Sequence, residues 1–213
     1  RSPASMAVLN KNWESANRVS PKEAAVVTGE SASEAEAAQE PTIYPQPWLV
    51  YVPAVSGEEA FDKAEKVVLM DDKVCIGMWA FKCVKMNDED AKADPLLAKG
   101  SELPRFYVVH RDLSKVKLIE GGDMSAKKLF SAMESASNDA YKQKLEKNVK
   151  SVLKILNEFD KINNERRVLE EKKARAGGEV DKKMERDIAE LDEREKKANE
   201  EKAELLAFEL KDA

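Results

Sequence analysis

Three side chains in this sequence stand out as able to carry reactive chemistry: the thiols of Cys75 and Cys83 and the imidazole of His110. Two sulfurs and one imidazole do not complete the tetrahedral set that closes a structural zinc site. A redox dithiol needs a low-pKa thiol at a helix N-terminus and a partner two residues on. Neither cysteine stands at the start of an expected helix, and the two are not so spaced. The expected state is two buried free thiols on or near a strand, where cysteine behaves as a small apolar residue. A disulfide between them is the alternative. His110, at a strand end with no nucleophile or carboxylate motif beside it, is expected at the surface, neither ligand nor base. No catalytic residue, metal ligand or cofactor site is therefore expected.

The elements around these residues follow from pattern. Trp48–Val52 is a short apolar, aromatic and β-branched run, ended by Pro53, and reads as a buried strand. Ser56, with Glu59 at the third position, is a capping box for a helix over 57–70, with Phe61, Ala64, Val67 and Val68 on one face. Asp71-Asp72-Lys73 stops that pattern. Trp79–Met86 is the next expected strand, which makes a right-handed βαβ unit. Residues 87–94 form a loop or short helix. Arg105–His110 and Lys115–Glu120 form a hairpin, and Ser125 caps a helix carrying Leu129, Phe130 and Met133.

The order βαβ then ββα, with Leu103-Pro104-Arg-Phe-Tyr-Val-Val opening the third strand, resembles the thioredoxin fold over about ninety residues. That family places a cis proline before such a strand, so the resemblance implies a cis bond at Leu103–Pro104. It also implies a C-x-x-C between the first strand and first helix. Here that place holds Pro53-Ala-Val-Ser-Gly-Glu58, without sulfur. The family's peptide-docking groove beside the cis proline maps onto Val55, Ser56, Leu103 and Pro104. The expected fold class is thus α+β with α/β character: a thioredoxin-like βαβ-ββα domain over residues 43–138, followed by a long C-terminal helical hairpin, a coiled coil.

That tail, residues 139–213, carries an apolar seam at spacings of 3 and 4: Val152, Ile155, Phe159, Ile162 and Leu169, then Met184, Ile188, Leu191 and Leu205. Gly177-Gly178 interrupts it. Two glycines inside a helix cost about 2 kcal/mol relative to alanine. An antiparallel hairpin turning at 177–178 is therefore favoured over one kinked rod, and it leaves seam enough to pack on a third helix. Residues 1–42 read as an extended or weakly structured arm. Arg1 either follows a removed signal peptide or belongs to a short extension ahead of an initiating Met6.

The chain has 213 residues, 42% of them hydrophobic and 36% charged, with a formal net charge of −5. Residues 139–213 hold 19 basic and 20 acidic side chains. No segment has the one-signed basic surface of a nucleic-acid groove, and no apolar run reaches the roughly 18 residues of a membrane span. The expected role is a non-catalytic structural or assembly protein that self-associates through the helical stem. The alternative is a peptide-binding module working through the cis-proline groove, and a residual thiol enzyme ranks third. The expected partner is a second copy of the chain or another protein.

Overall fold

Every residue of β2, Trp48–Val52, and of β4, Arg105–Val109, is buried, which places both strands at the centre of a sheet covered on its two faces. The computed structural model of the protein describes residues 1–10, 13–15, 46–178 and 181–211. Its sheet is mixed, in the order β1-β3-β2-β4-β5, with β1 at Glu14–Ser15, β3 at Lys82–Lys85 and β5 at Val116–Glu120. β1, β3 and β2 run parallel, whereas β4 is antiparallel to both β2 and β5. Leu49, Tyr51, Phe81, Cys83, Phe106 and Val108 contribute to one core, and Trp48, Val50, Val52, Val84, Tyr107 and Val109 to the other.

The helix expected over 57–70 is shorter and starts later. α2 is Glu59–Lys63, and Glu58, not Ser56, occupies the cap position. A π-helical turn, Ala64–Val68, continues it, with Leu69 N–H donating to Ala64 O at 2.9 Å. The extra residue in that turn shifts the helical phase. Val67 is left 62% exposed instead of joining the apolar face, while Val68 and Leu69 turn inward. Asp71 does not end the helical region. Its carboxylate accepts from Lys73 N and Val74 N at 2.9 and 3.2 Å and caps α3, Asp72–Gly77. The strand expected from Trp79 starts at Lys82, after a 3₁₀ turn at Met78–Ala80. α4, Asp88–Ala93, fills the acidic stretch and is capped by Asn87.

Ser125 caps α5, Ala126–Ala140, which crosses the sheet. The domain limit expected at 138 therefore falls inside a helix. α6, Leu145–Arg175, and α7, Lys182–Leu206, form the long C-terminal pair, packed side by side. Gly177 and Gly178 take φ of +70° and +89°, the left-handed backbone that lets the chain leave α6. The base of α6 packs on α3 and α5, and its Leu145, Val149, Val152, Leu156 and Phe159 belong to the same core as α5. No helix among the described residues is long and apolar enough to cross a membrane.

The beginning of the expected loose arm is tied into this base. α1, Pro3–Leu9, packs on α6 and α3, and Val8 is buried. Trp79 Nε1 donates to Val8 O at 2.8 Å. Asp160 on α6 is the anchor: Ser2 N–H donates to it at 2.7 Å, the Ser5 hydroxyl lies 2.7 Å away and Arg1 Nη1 3.2 Å. Residues 16–42 of that arm lie outside the described residues.

Burial alone would push the Asp160 carboxyl up, but these donors outweigh it and hold the group well below the ordinary carboxylate range. A depressed folded-state pKa contributes stability in full above the unfolded value, about 3.9 for aspartate. That contribution is lost as the pH falls below it. Asp160→Ala should cost about 2 kcal/mol near neutral pH, typical for hydrogen bonds to a charged acceptor. The gap in melting temperature between parent and variant should narrow as the pH is lowered from about 6 to about 3. A gap that does not change with pH would remove the carboxylate from this account.

Candidate functional site

The register of the central strands builds the corner that the cis-proline resemblance singled out. Val52 of β2 lies opposite Arg105 of β4, so Pro53–Ser56 leaves the sheet beside Leu103–Pro104. The Leu103–Pro104 bond is cis. Val55 is 68% exposed, Ser56 is exposed, Leu103 is half-buried and Pro104 is buried.

What holds the corner was not legible in the sequence. Arg105 is fully buried. Its Nη2 donates to Asp88 Oδ1 at 2.6 Å and its Nε to the Tyr107 hydroxyl at 2.6 Å. Tyr107 in turn donates to Lys99 O at 2.6 Å. Glu120 Oε2 accepts from Ser101 N and Glu102 N at 3.0 and 3.1 Å. Gly100 has φ +126°, and a Cβ there would lie 2.9 Å from the Arg105 side chain and from the Tyr107 hydroxyl. The loop thus wraps tightly over a buried cation. Lys92 and Arg105 hold the Asp88 carboxyl below its ordinary range. The Arg-x-Tyr alternation of β4 was the available signal, since it puts both side chains on one strand face.

Both cysteines are buried and in no disulfide, as expected, and neither borders this corner. The Cys75 thiol, on α3, donates to Leu69 O at 3.0 Å. Burial, followed by Asp72 and Asp71, pushes it up to about 11, so almost no thiolate forms at neutral pH. Cys83 lies opposite Leu49, toward the far end of β2. His110 corrects the expectation of a surface residue: it is 6% exposed, with Nδ1 3.0 Å from Asp139 Oδ2. Among the described residues no cluster of His, Cys, Asp and Glu could hold a metal ion.

The hairpin is the second candidate surface, and its seam divides in two. Val152, Ile155 and Phe159 are buried in the core cluster, with Leu205 packed against it. Ile162 and Leu191 are buried yet belong to neither core. Farther out Leu169 and Met184 are half-buried, Ile188 is 37% exposed and Val168 is 44% exposed. Ion pairs fix the helix register: Arg166 to Asp192 and Glu195 at 2.5 and 2.7 Å, Arg194 to Glu158 and Glu165 at 2.6 and 2.7 Å. Arg194 borders two open grooves between the helices, of about 360 and 460 Å³. Val168, Leu169 and Leu191 line the outer one, and Ile155, Ala198 and Leu205 the inner.

Compared with models of known protein families, with curated proteins and with solved structures, the chain matches none.

Proposed function

We propose that the chain is a non-catalytic assembly protein: a thioredoxin-like head without its dithiol carries a coiled-coil hairpin through which two copies associate. Several features support the thioredoxin-like part of the reading. They are the parallel β2–β3 pair joined through helices, the antiparallel β4–β5 hairpin, α5 across the sheet and the cis proline at β4. The loop at Pro53–Glu58 has no sulfur, and both thiols are buried elsewhere.

The observation that carries the assembly reading is the outer hairpin. From Asp160 to Arg175, about 24 Å of helix at 1.5 Å per residue, α6 adds nothing to the head's core. Yet this arm keeps Val168, Leu169, Met184 and Ile188 on it, part-open. Its charges are divided between the two helices. Residues 163–175 carry five basic and three acidic side chains, and residues 181–194 carry four basic and six acidic. A two-fold pairing that sets α6 of one copy along α7 of the other matches unlike charges and covers the open apolar positions.

Sedimentation velocity of the full chain tests this. The chain should sediment as a dimer at micromolar concentration. Val168→Glu combined with Ile188→Glu should give a monomer with an unchanged melting temperature. A parent chain that stays monomeric at high micromolar concentration, or a dimer indifferent to both changes, defeats the proposal. A second reading, capture of an extended peptide at Val55, Ser56, Leu103 and Pro104, is favoured by the exposure of Val55 beside the firmly held proline loop. It leaves the chain monomeric, so the same experiment separates the two.

A further inference from the structure

Among the described residues β5 is the outer strand of the sheet and its one ladder partner is β4. His110 N–H donates to Lys115 O at 3.0 Å, which sets the phase of the β4–β5 ladder. From that pair onward the bonded partners are Lys117 with Val108 and Ile119 with Phe106. The N–H and C=O groups of Val116 and Leu118 therefore point away from β4, toward the open edge. β5 has no proline and no bulge, and its paired register is continuous from Val116 to Glu120. What guards the edge is lysine, at 115 and 117, which admits a strand that brings negative charge.

Beside this edge lies a groove of about 520 Å³ between β5 and α5. Lys115, Lys117 and Lys128 line it, with the buried Ile119 and Ala132 at its floor. Asp123, paired with Lys128, is the acidic residue of the lining. Lys115 also pairs with Asp139, at 3.4 Å. The groove side of β5 is thus cationic, whereas its other side presents Val116 and Leu118, half-buried against the second core.

We propose that this edge takes up an extended segment of a partner protein as a sixth strand, one that alternates acidic and apolar side chains. Backbone groups of Val116 and Leu118 make the new ladder. Because side chains alternate across a strand, every second residue of the incoming segment faces the lysines and the rest lie over Val116 and Leu118. Carboxylates match the first set and β-branched apolar residues the second. This site lies on the sheet edge, apart from the hairpin, so it stands whether or not the chain dimerises.

The test uses the full chain and a labelled Glu-Val-Glu-Val-Glu-Val peptide in fluorescence anisotropy, with amide chemical shifts to locate it. Saturable binding is expected, with the largest shifts at Val116–Ile119. Lys117→Glu with Lys128→Glu should raise Kd at least about tenfold, the effect of losing about 1.4 kcal/mol. Leu118→Pro should abolish binding while the melting temperature stays within a few degrees, because the Leu118 N–H is not part of the existing sheet. A peptide of the same sequence with alternate amides N-methylated keeps its charge but cannot pair, and should not bind. Equal binding of that peptide reduces the site to simple ion attraction and overturns the proposal. So do shifts that map elsewhere, and so does a Leu118→Pro protein that is folded and binds undiminished.

Discussion

Phe159→Ala should lower the unfolding free energy by about 4 kcal/mol, the middle of the range for removing a buried aromatic ring. The ring is 2% exposed and belongs to the main core, which joins the sheet, α1, α5 and α6. Lys202 of α7 places its ammonium 5.3 Å from the ring centre, so the side chain also touches the returning helix. Beyond Phe159 the helix leaves the core, and Ile162 is its last buried residue. Truncation leaves a void at the point where the hairpin is rooted. The consequence is twofold: a lower urea midpoint for the head, and loss of rigid coupling between head and arm. Phe159→Leu keeps most of the volume and should recover more than half of the loss. A loss below about 1 kcal/mol for Phe159→Ala would show that the root can collapse around the gap, and that the hairpin is held elsewhere.

The second large effect is at Arg105. Arg105→Met should cost about 2 kcal/mol, in the range for losing hydrogen bonds made by a charged group, since the Asp88 left behind is part-exposed. Three oxygens lose their donor. Asp88 and the Tyr107 hydroxyl lie at 2.6 Å, and the Glu102 carbonyl receives a longer bond of 3.5 Å. Arg105→Lys should not restore stability, because one ammonium cannot reproduce a planar fork aimed at separate acceptors. Asp88→Asn combined with Arg105→Met should cost less than the sum of the two single changes, since each removes the same interaction. The sign with pH follows from the carboxylate. Its pKa is held down in the folded state, so its contribution is present above the ordinary aspartate value and fades as the pH falls below it. Arg105→Met should flatten that acid limb. Urea unfolding of the four proteins near neutral pH, repeated near pH 3, measures all of this. Strict additivity would dissolve the network into independent contacts.

The two effects also separate the candidate surfaces. Arg105 supports the proline loop and the neighbouring end of β5, through Glu120 and the loop amides it accepts from. Phe159 supports the hairpin. Damage at one should leave the other surface's binding intact in any variant that remains folded.

How much of this was readable beforehand depends on the range of the interactions. β2, β4, β5, the Ser125 cap and the reversal at Gly177-Gly178 were legible. Each rests on local chemistry: a run of β-branched and aromatic residues, a hydroxyl three residues from an open N–H, a backbone needing positive φ. The phase of α2 was not legible, because the π turn adds a residue that a fixed helical period cannot anticipate. Nor was the burial of Arg105, or of His110, which reads as a surface residue until the partners appear. Those partners are Asp139 and Asp88, brought in by other elements.

The clearest division lies at the two ends of the chain. Sequence alone determined that α6 would have an apolar face, since spacing fixes which side chains share a stripe. Only the tertiary structure decided what meets that stripe: α1, α3 and α5 at its base, and α7 along the arm. Ser5 and Asp160 are separated by 155 positions and meet within 2.7 Å. A local pattern can state that a surface must be covered. It carries no information about which distant segment arrives, because that is set by the closing of the whole chain.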